Sequence, residues 1–227
     1  MKKALNQRVV LSTIRLVPSK KNRVWIAETD VRPVVVKRFL TGKCGVEFES
    51  LLVSREKGVP VPFPLWKQGD HLVMEYISGE NCESLVNDMF SADAAEGIGS
   101  WLASYHRLGG GQLPRIMGDA VLSNFIMSDG RIFGVDLEDS TFGDPMDDLG
   151  QILASVLSSE PFFTPIKFDL CLRLVNSYDR SASAESRERV RPYVSKFLRS
   201  GAKSRPLFRR TFVAAAKSLE KGWPELV

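Results

Sequence analysis

One short hairpin, at residues 125–135, restricts the fold of this 227-residue chain more than any other feature. Two segments, residues 125–127 and 131–135, flank the dipeptide Asp129-Gly130. A two-residue type I′ turn needs positive φ at both positions, and Asp-Gly is among the pairs that adopt it most readily. Helical periodicity occurs on both sides of this hairpin. We therefore expect an α+β chain in which a hairpin interrupts a mostly helical C-terminal half.

The first third of the chain predicts a small antiparallel sheet and one helix. Five segments are rich in β-branched and aromatic residues and are separated by turn formers: residues 8–16, 23–28, 33–39, 63–66 and 71–76. A helix is predicted over residues 45–57, and Gly58 ends it. The polar run after Gly79 breaks this pattern, so a boundary is expected near residues 77–80. The predicted lobes are residues 1–77 and 78–227.

Helices are predicted for most of the remaining chain. In residues 94–108, apolar side chains recur at i, i+3, i+4 and i+7, as in a helix that is buried on one face. The glycine run at 109–111 ends this helix. Further amphipathic helices are predicted at residues 146–156, 165–179, 185–199 and 205–220.

Charge is distributed unevenly along the chain, although the net charge is only +4. Residues 1–23 hold seven Lys/Arg and no acid, and residues 181–227 hold eleven Lys/Arg against four Glu. Residues 117–148 carry eight Asp/Glu and a single base, Arg131. Clustered carboxylates repel one another, and a bound divalent cation is a common reason for them because hard cations prefer oxygen ligands. A solvated acidic loop is the alternative on charge alone.

Cysteine usage and hydropathy argue against several classes of protein. The three cysteines, Cys44, Cys82 and Cys171, are widely scattered and form no C-x-x-C pair. With only His71 and His106 as imidazole ligands, a structural zinc site is not expected. The sequence has neither an export-signal pattern nor 18 consecutive apolar residues. We expect a protein without a membrane span in the reducing cytoplasm.

The segment around the hairpin holds the residues with the most specific chemical meaning. Asp119 and Asn124 lie five positions apart before the hairpin, and Asp136 follows its second strand. A tight loop followed by a hairpin brings these three side chains to one point. Phosphoryl transfer requires one carboxylate that orients and deprotonates the acceptor hydroxyl, and an amide and a second carboxylate that hold Mg²⁺ against the ATP phosphates. We therefore predict Asp119 as the catalytic base and Asn124 and Asp136 as metal ligands.

These motifs resemble the protein-kinase-like superfamily, and specifically its aminoglycoside phosphotransferase and choline kinase branch. That branch has H-G-D-x-x-x-x-N, a strand ending in I-D and then D-P-x-x-D-L. The corresponding segments here read MGDAVLSN, VDLE and DPMDDL. The resemblance implies a two-lobed fold with ATP and Mg²⁺ as cofactors. It also implies that Asp148 braces the catalytic loop from the start of a helix and that His106 has a packing or bracing role.

The same resemblance assigns nucleotide-binding residues in the N-terminal lobe. The strand VVVKRF is similar to the one that bears the nucleotide lysine, so Lys37 is expected to contact the α- and β-phosphates. Glu47 is its expected ion-pair partner, with Glu49 as second choice. Met74 is expected to line the adenine pocket of ATP, the default nucleotide over GTP. The hinge residues that follow are expected to offer backbone hydrogen bonds to the base: Glu75, Tyr76 and Ile77.

Two departures from the family pattern bear on activity. The loop VPSKKNRVW between the first two strands has no glycine, whereas protein kinases carry a glycine-rich loop over the phosphates. Lys20 and Lys21 are candidates to neutralise phosphates there, and a flexible surface loop is the equally ordinary alternative. Met117 stands where the family usually has histidine, which favours slower catalysis without abolishing it.

The sequence leaves three functions open. The leading one is an enzyme that transfers the γ-phosphoryl group of ATP to a hydroxyl of a small-molecule acceptor. The alternatives are a small protein kinase or ATPase that works within a complex, and a catalytically silent kinase-like binding module. The basic C-terminal helices favour an anionic acceptor, a protein partner or RNA, and a solvated basic face is the competing interpretation. The arginines singled out are Arg187, Arg189, Arg191, Arg209 and Arg210.

Overall fold

A five-stranded antiparallel sheet forms the N-terminal part of the computed structural model, which describes residues 11–109 and 113–224. The strands are β1 (Leu11–Val17), β2 (Arg23–Thr29), β3 (Val34–Arg38), β4 (Pro64–Gln68) and β5 (His71–Glu75). Helix α1 (Cys44–Glu56) connects β3 to β4. The strand order is β1-β2-β3-β5-β4. Because β3 is central, Lys37 lies between Val24 on β2 and Leu72 on β5.

The C-terminal part is mostly helical. Its helices are α2 (Cys82–Asn87), α3 (Ala92–His106), α4 (Pro145–Leu157), α5 (Pro165–Ala182), α6 (Arg191–Lys203) and α7 (Arg209–Lys221). Its strands are β6 (Glu80–Asn81), β7 (Arg115–Ile116), β8 (Phe125–Ser128), β9 (Arg131–Gly134) and β10 (Thr141–Phe142). Short 3₁₀ turns are at Arg107–Gly109, Leu122–Asn124 and Pro206–Phe208. Strand β8 pairs with β6 and β9, and β10 pairs with β7.

The predicted α+β architecture and its hairpin are confirmed. Ser128 pairs with Arg131, and the two turn residues have φ of 48° at Asp129 and 71° at Gly130. Positive φ at both positions is the signature of the type I′ turn. Residues 8–10 of the first predicted strand, and Gly110 and Gly111 of the glycine run, lie outside the described residues.

Two predictions about helices need correction. The helix expected to start at residue 185 begins instead at Arg191, with Pro192 in its first turn. The backbone N–H of Ser186 donates to the Asp179 carboxylate at 3.0 Å, so a side-chain contact holds a non-helical turn where periodicity alone predicted helix. The pattern also missed α2, whose first turn is capped by the Asn81 side chain accepting from the Glu83 N–H at 2.8 Å.

Trp101 on α3 fixes the hairpin relative to the N-terminal sheet. Its indole N–H donates to the carbonyl of Pro60, in the segment before β4, at 2.7 Å. The N–H of Gly134 on β9 donates to the same carbonyl at 3.2 Å. A Cβ at Gly134 would lie 2.1 Å from the Trp101 ring, so only glycine allows this close approach. None of the described helices is long and apolar enough to cross a bilayer.

Candidate active site

A cleft of about 600 Å³ lies between the N-terminal sheet and the loop that precedes the hairpin. Every site residue predicted from the sequence lines this one cleft: Lys37, Glu47, Met74, Glu75, Tyr76, Ile77, Asp119, Asn124 and Asp136. These residues come from β3, α1, β5 and the segment after it, the loop 117–124 and the segment just after β9. Chain segments up to 99 positions apart therefore meet at one point.

Lys37 is the centre of a buried charge cluster in the cleft. Its side chain is only 6% exposed, and Nζ lies 2.6 Å from Glu47 Oε2, 2.5 Å from Asp136 Oδ1 and 3.5 Å from Glu138 Oε2. The predicted Lys37–Glu47 ion pair is thus present. Burial alone would lower the pKa of Lys37, but the negative charges of Glu47 and Asp136 outweigh it and raise that pKa. Lys37 therefore remains charged.

Glu47 is the most confined member of this cluster. It is 1% exposed, and burial raises the pKa of its carboxyl to about 7 against the opposing effect of Lys37. Glu49, the second choice for this role, is exposed. The roles of Lys37 and Glu47 toward a nucleotide stay predictions.

Asp136 and Asn124 have the donor groups that a hard cation requires. Asp136 has a φ of 60°, and its carboxylate is 41% exposed. The amide Nδ2 of Asn124 donates to the backbone carbonyl of Asp119 at 2.9 Å, so the amide oxygen is the end left for a cation. One carboxylate and one amide oxygen fit Mg²⁺, which typically takes few protein ligands besides water and substrate phosphates.

The carboxylates around Lys37 form a cluster that the lysine ammonium already neutralises in part. Carboxylate oxygens of Glu47, Asp136 and Glu138 lie within 4.8 Å of one another, a spacing compatible with a metal ion. The Lys37 ammonium contacts all three residues, however, and supplies one positive charge there. The acidic cluster inferred from composition is therefore compensated in part by a lysine from the N-terminal sheet.

Helix α4 holds the loop that carries Asp119. Asp148 accepts hydrogen bonds from the backbone N–H groups of Met117 at 2.5 Å and Gly118 at 2.9 Å. Asp148 Oδ2 also lies 3.0 Å from His106 Nε2, and both side chains are buried. The expected bracing by Asp148 and the supporting role of His106 are confirmed. Met117, in the usual histidine position, keeps its backbone contact with Asp148, and its side chain is fully buried.

Gln151 is a site residue that the sequence analysis missed. Its Nε2 donates to Asp119 Oδ1 at 3.0 Å, and its Oε1 accepts from the N–H of Ala120 at 3.1 Å. Gln151 thereby holds the carboxylate of Asp119 and the adjoining backbone together. The available signal was spacing, because Gln151 follows Asp148 by three residues and so lies on the same helix face.

Two lysines and an asparagine connect the N-terminal part to the segment after Asp136. Lys21 donates to Asp139 Oδ2 at 2.8 Å, and Lys43 bonds the other oxygen of the same carboxylate. Asn22 donates from Nδ2 to Glu138 Oε2 at 2.5 Å. The loop between β1 and β2, which lacks glycine, is therefore held against the segment that follows Asp136.

No protein-family model matches the chain. A curated relative, the probable serine/threonine-protein kinase BUD32 homolog of Archaeoglobus fulgidus, is 33% identical over 105 residues, 46% of this chain and 49% of that protein. The chain thus spans about half the length of the curated relative that it matches.

Solved kinase structures share the fold over nearly the whole chain. A choline/ethanolamine kinase family protein from Mesorhizobium loti has a TM-score of 0.68 and 16% identity, covering 92% of this chain and 88% of its own. Aminoglycoside phosphotransferase APH(2'')-Ib, in its ADP-bound form, has a TM-score of 0.64 and 13% identity, covering 92% of each chain. The predicted kinase-like fold, of the aminoglycoside phosphotransferase and choline kinase type, is confirmed.

Proposed function

We propose that this protein is an ATP- and Mg²⁺-dependent phosphotransferase that moves the γ-phosphoryl group to a hydroxyl of a small-molecule acceptor. The observation that carries the proposal is the meeting of Lys37, Asp119, Asn124 and Asp136 in one cleft of a kinase-like fold. The ADP bound in APH(2'')-Ib supports nucleotide use in this fold.

Each of these residues has one role in the proposed reaction. Lys37, oriented by Glu47, contacts the α- and β-phosphates, and residues 75–77 bond the adenine beside Met74. Asn124 and Asp136 hold Mg²⁺, which supplies positive charge to the phosphate oxygens. Asp119 accepts the acceptor's hydroxyl proton while a bond forms from that oxygen to the γ-phosphorus. The bond from the γ-phosphorus to the β,γ-bridging oxygen breaks, and ADP leaves.

The acceptor is proposed to bind within residues 78–227, taken as the acceptor-binding lobe beside the nucleotide lobe of residues 1–77. Some cations of the basic helices are already used in ion pairs: Arg191 with Glu188 at 2.8 Å, Lys196 with Asp147 at 2.5 Å and Arg199 with Glu220 at 2.8 Å. Arg209, Arg210 and Lys217 instead line a surface groove of about 560 Å³. A protein or RNA partner is expected at this groove and not at the paired cations, whereas the hydroxyl of an acceptor, anionic or neutral, has to reach Asp119 in the cleft.

A second candidate is a small protein kinase or ATPase that acts within a complex. The identity to the BUD32 homolog, over about half of each chain, favours it. Such an enzyme would phosphorylate itself or a bound partner and would need no small acceptor. Incubation with radiolabelled ATP, with and without a panel of small hydroxyl compounds, distinguishes the two candidates by where the label appears.

Calorimetric titration with the non-hydrolysable analogue AMP-PNP, with and without Mg²⁺, tests the main proposal. Wild-type protein is expected to bind at micromolar concentrations only with Mg²⁺. Asp136→Ala is expected to lose this binding, because it removes a metal ligand and a partner of Lys37. Asp147→Ala is the matched control, since Asp147 pairs with Lys196 on the surface outside the lining of the cleft, and it should bind like wild type.

An AMP-PNP affinity that is the same with and without Mg²⁺, and the same in Asp136→Ala as in wild type, would contradict the proposed metal site. A wild-type protein that binds no nucleotide under any condition would instead support the silent binding module.

A further inference from the structure

The loop between β1 and β2, residues 18–22, is fixed at its end by a buried asparagine. Asn22 is 7% exposed, its Nδ2 donates to Glu138, and its Oδ1 accepts from the N–H of Leu40 at 3.0 Å. Ser19 Oγ accepts from the N–H of Asn22 at 3.3 Å and tightens the loop. A buried amide with hydrogen bonds at both its nitrogen and its oxygen holds the backbone in one place. The backbone of the preceding residue, Lys21, is therefore held in a fixed position at the cleft.

Lys21 reaches across the cleft to the candidate base. Its Nζ lies 2.8 Å from Asp139 Oδ2 and 3.6 Å from Asp119 Oδ2, and Lys21 lines the cleft. The hydrogen bond to Asp139 raises the pKa of Lys21, so the ammonium is charged at neutral pH. The lysine side chain is 51% exposed, and ion pairs at exposed positions contribute little to stability. Fold stability is therefore a weak explanation for this contact.

Phosphoryl transfer offers a stronger explanation. The acceptor hydroxyl must lie against Asp119 and attack the γ-phosphorus in line, so the γ-phosphate must come close to Asp119. A fixed cation beside that carboxylate is in reach of the γ-phosphate oxygens, where negative charge has to be stabilised during transfer. The loop has no glycine, but Lys20 and Lys21 line the cleft, so ammonium groups are available there for the phosphate contacts that a glycine-rich loop makes in protein kinases.

We infer that Lys21 binds the γ-phosphate of ATP and releases its contacts with Asp119 and Asp139 as the nucleotide enters. This inference rests on the proposed phosphotransferase function and adds a residue to it. Lys21 is then the group that distinguishes ATP from ADP, because ADP lacks the phosphate that it contacts.

The chain provides a matched control for this role. Lys43 bonds the same Asp139 carboxylate from the start of α1 but is not among the described residues that line the cleft. Lys21→Ala and Lys43→Ala each remove one cation from Asp139. Only Lys21→Ala removes the proposed phosphate contact.

The test is calorimetric titration of wild type, Lys21→Ala, Lys21→Arg and Lys43→Ala with Mg²⁺-AMP-PNP and with Mg²⁺-ADP. Lys21→Ala is expected to weaken AMP-PNP binding about ten-fold or more, the value of one charge-assisted hydrogen bond, and to leave ADP binding unchanged. Lys21→Arg should recover most of the AMP-PNP affinity, and Lys43→Ala should match wild type with both nucleotides. ATP hydrolysis should fall roughly 100-fold in Lys21→Ala.

Other outcomes overturn the inference. Unchanged or tighter AMP-PNP binding in Lys21→Ala would mean that Lys21 does not contact the γ-phosphate. An equal loss for AMP-PNP and ADP, or the same loss in Lys43→Ala, would mean that Lys21 acts only through Asp139. If wild-type protein binds neither nucleotide, the proposed function fails and the inference fails with it.

Discussion

Lys37 shows how single residues shape this cleft. It is one ammonium among three carboxylates, and Glu138 Oε1 has no hydrogen-bond partner among the described residues although it is buried. Buried carboxylates without full compensation are costly. The excess of negative charge next to the exposed Asp136 carboxylate agrees with a site that gains stability when a divalent cation binds there.

Gln151 is expected to position the base without contacting the nucleotide. Gln151→Ala removes the hydrogen bond to Asp119 and should slow ATP hydrolysis roughly ten- to hundred-fold through misplacement of the base. AMP-PNP affinity should stay unchanged. Asp147→Ala is the control, because Asp147 lies on the same helix and pairs with Lys196 without bonding the loop that carries Asp119. Steady-state hydrolysis and calorimetry measure both quantities, and equal rate losses in the two variants would contradict the positioning role.

Among the secondary-structure elements, helix α4 holds the loop 117–122 in place through side-chain hydrogen bonds. Three polar side chains on one face of this helix accept hydrogen bonds from the loop backbone: Asp148 from Met117 and Gly118, Gln151 from Ala120, and Ser155 from Leu122. The spacing of 148, 151 and 155 is one helix face. A loop with its backbone groups bonded in this way holds Asp119 in place before any substrate binds.

Gly118 is the position in this loop where a side chain is least tolerated, because of its backbone conformation and its close neighbour. Its φ is +78°, and a Cβ would lie 2.4 Å from the carbonyl oxygen of Asp139. Gly58 has the same φ of +78° with no atom within 4 Å of its Cβ position. Gly58→Ala should therefore cost about 1 kcal/mol of unfolding free energy from backbone strain alone. Gly118→Ala should cost roughly 2–4 kcal/mol, because the loop must also move away from Asp139.

Urea denaturation followed by circular dichroism measures both free energies. Equal losses in the two variants would mean that the loop adapts freely around Gly118, and would weaken the view that it is held rigid by α4.

At the scale of the whole molecule, the two parts of the chain share one buried core. The core joins Leu72 and Met74 of the sheet to Cys82, Ile98 and Leu102 of the helical part. A continuous core favours a single cooperative unfolding transition. The proposed lobes, residues 1–77 and 78–227, are then expected to unfold together.

The three cysteines report on this cooperativity. All are buried, and burial raises the pKa of each thiol, that of Cys82 to about 12, so little reactive thiolate forms near pH 8. Native protein should take up no iodoacetamide over short exposure, and unfolded protein should take up three. In a urea series read by mass spectrometry, Cys44 in the first part and Cys82 and Cys171 in the second should become labelled in one transition. Earlier labelling of Cys44 would show that the N-terminal part unfolds separately.

The sequence by itself determined the α+β class, the hairpin and nine of the residues that line the cleft. The hairpin and the grouping of Asp119, Asn124 and Asp136 follow from local rules, because turn residues and motif spacing act over a few positions. The nucleotide-binding residues of the N-terminal part were assigned by resemblance to the kinase-like family. Only the tertiary structure decided which of these side chains meet. Lys37 contacts Asp136 across 99 positions, Asn22 contacts Glu138 across 116, and Gln151 contacts Asp119 across 32. Such contacts depend on how packed elements bring distant segments together, and no local pattern encodes that distance. For the same reason the contact of Gln151 with Asp119, and the reach of Lys21 to Asp119, became visible only in the folded chain.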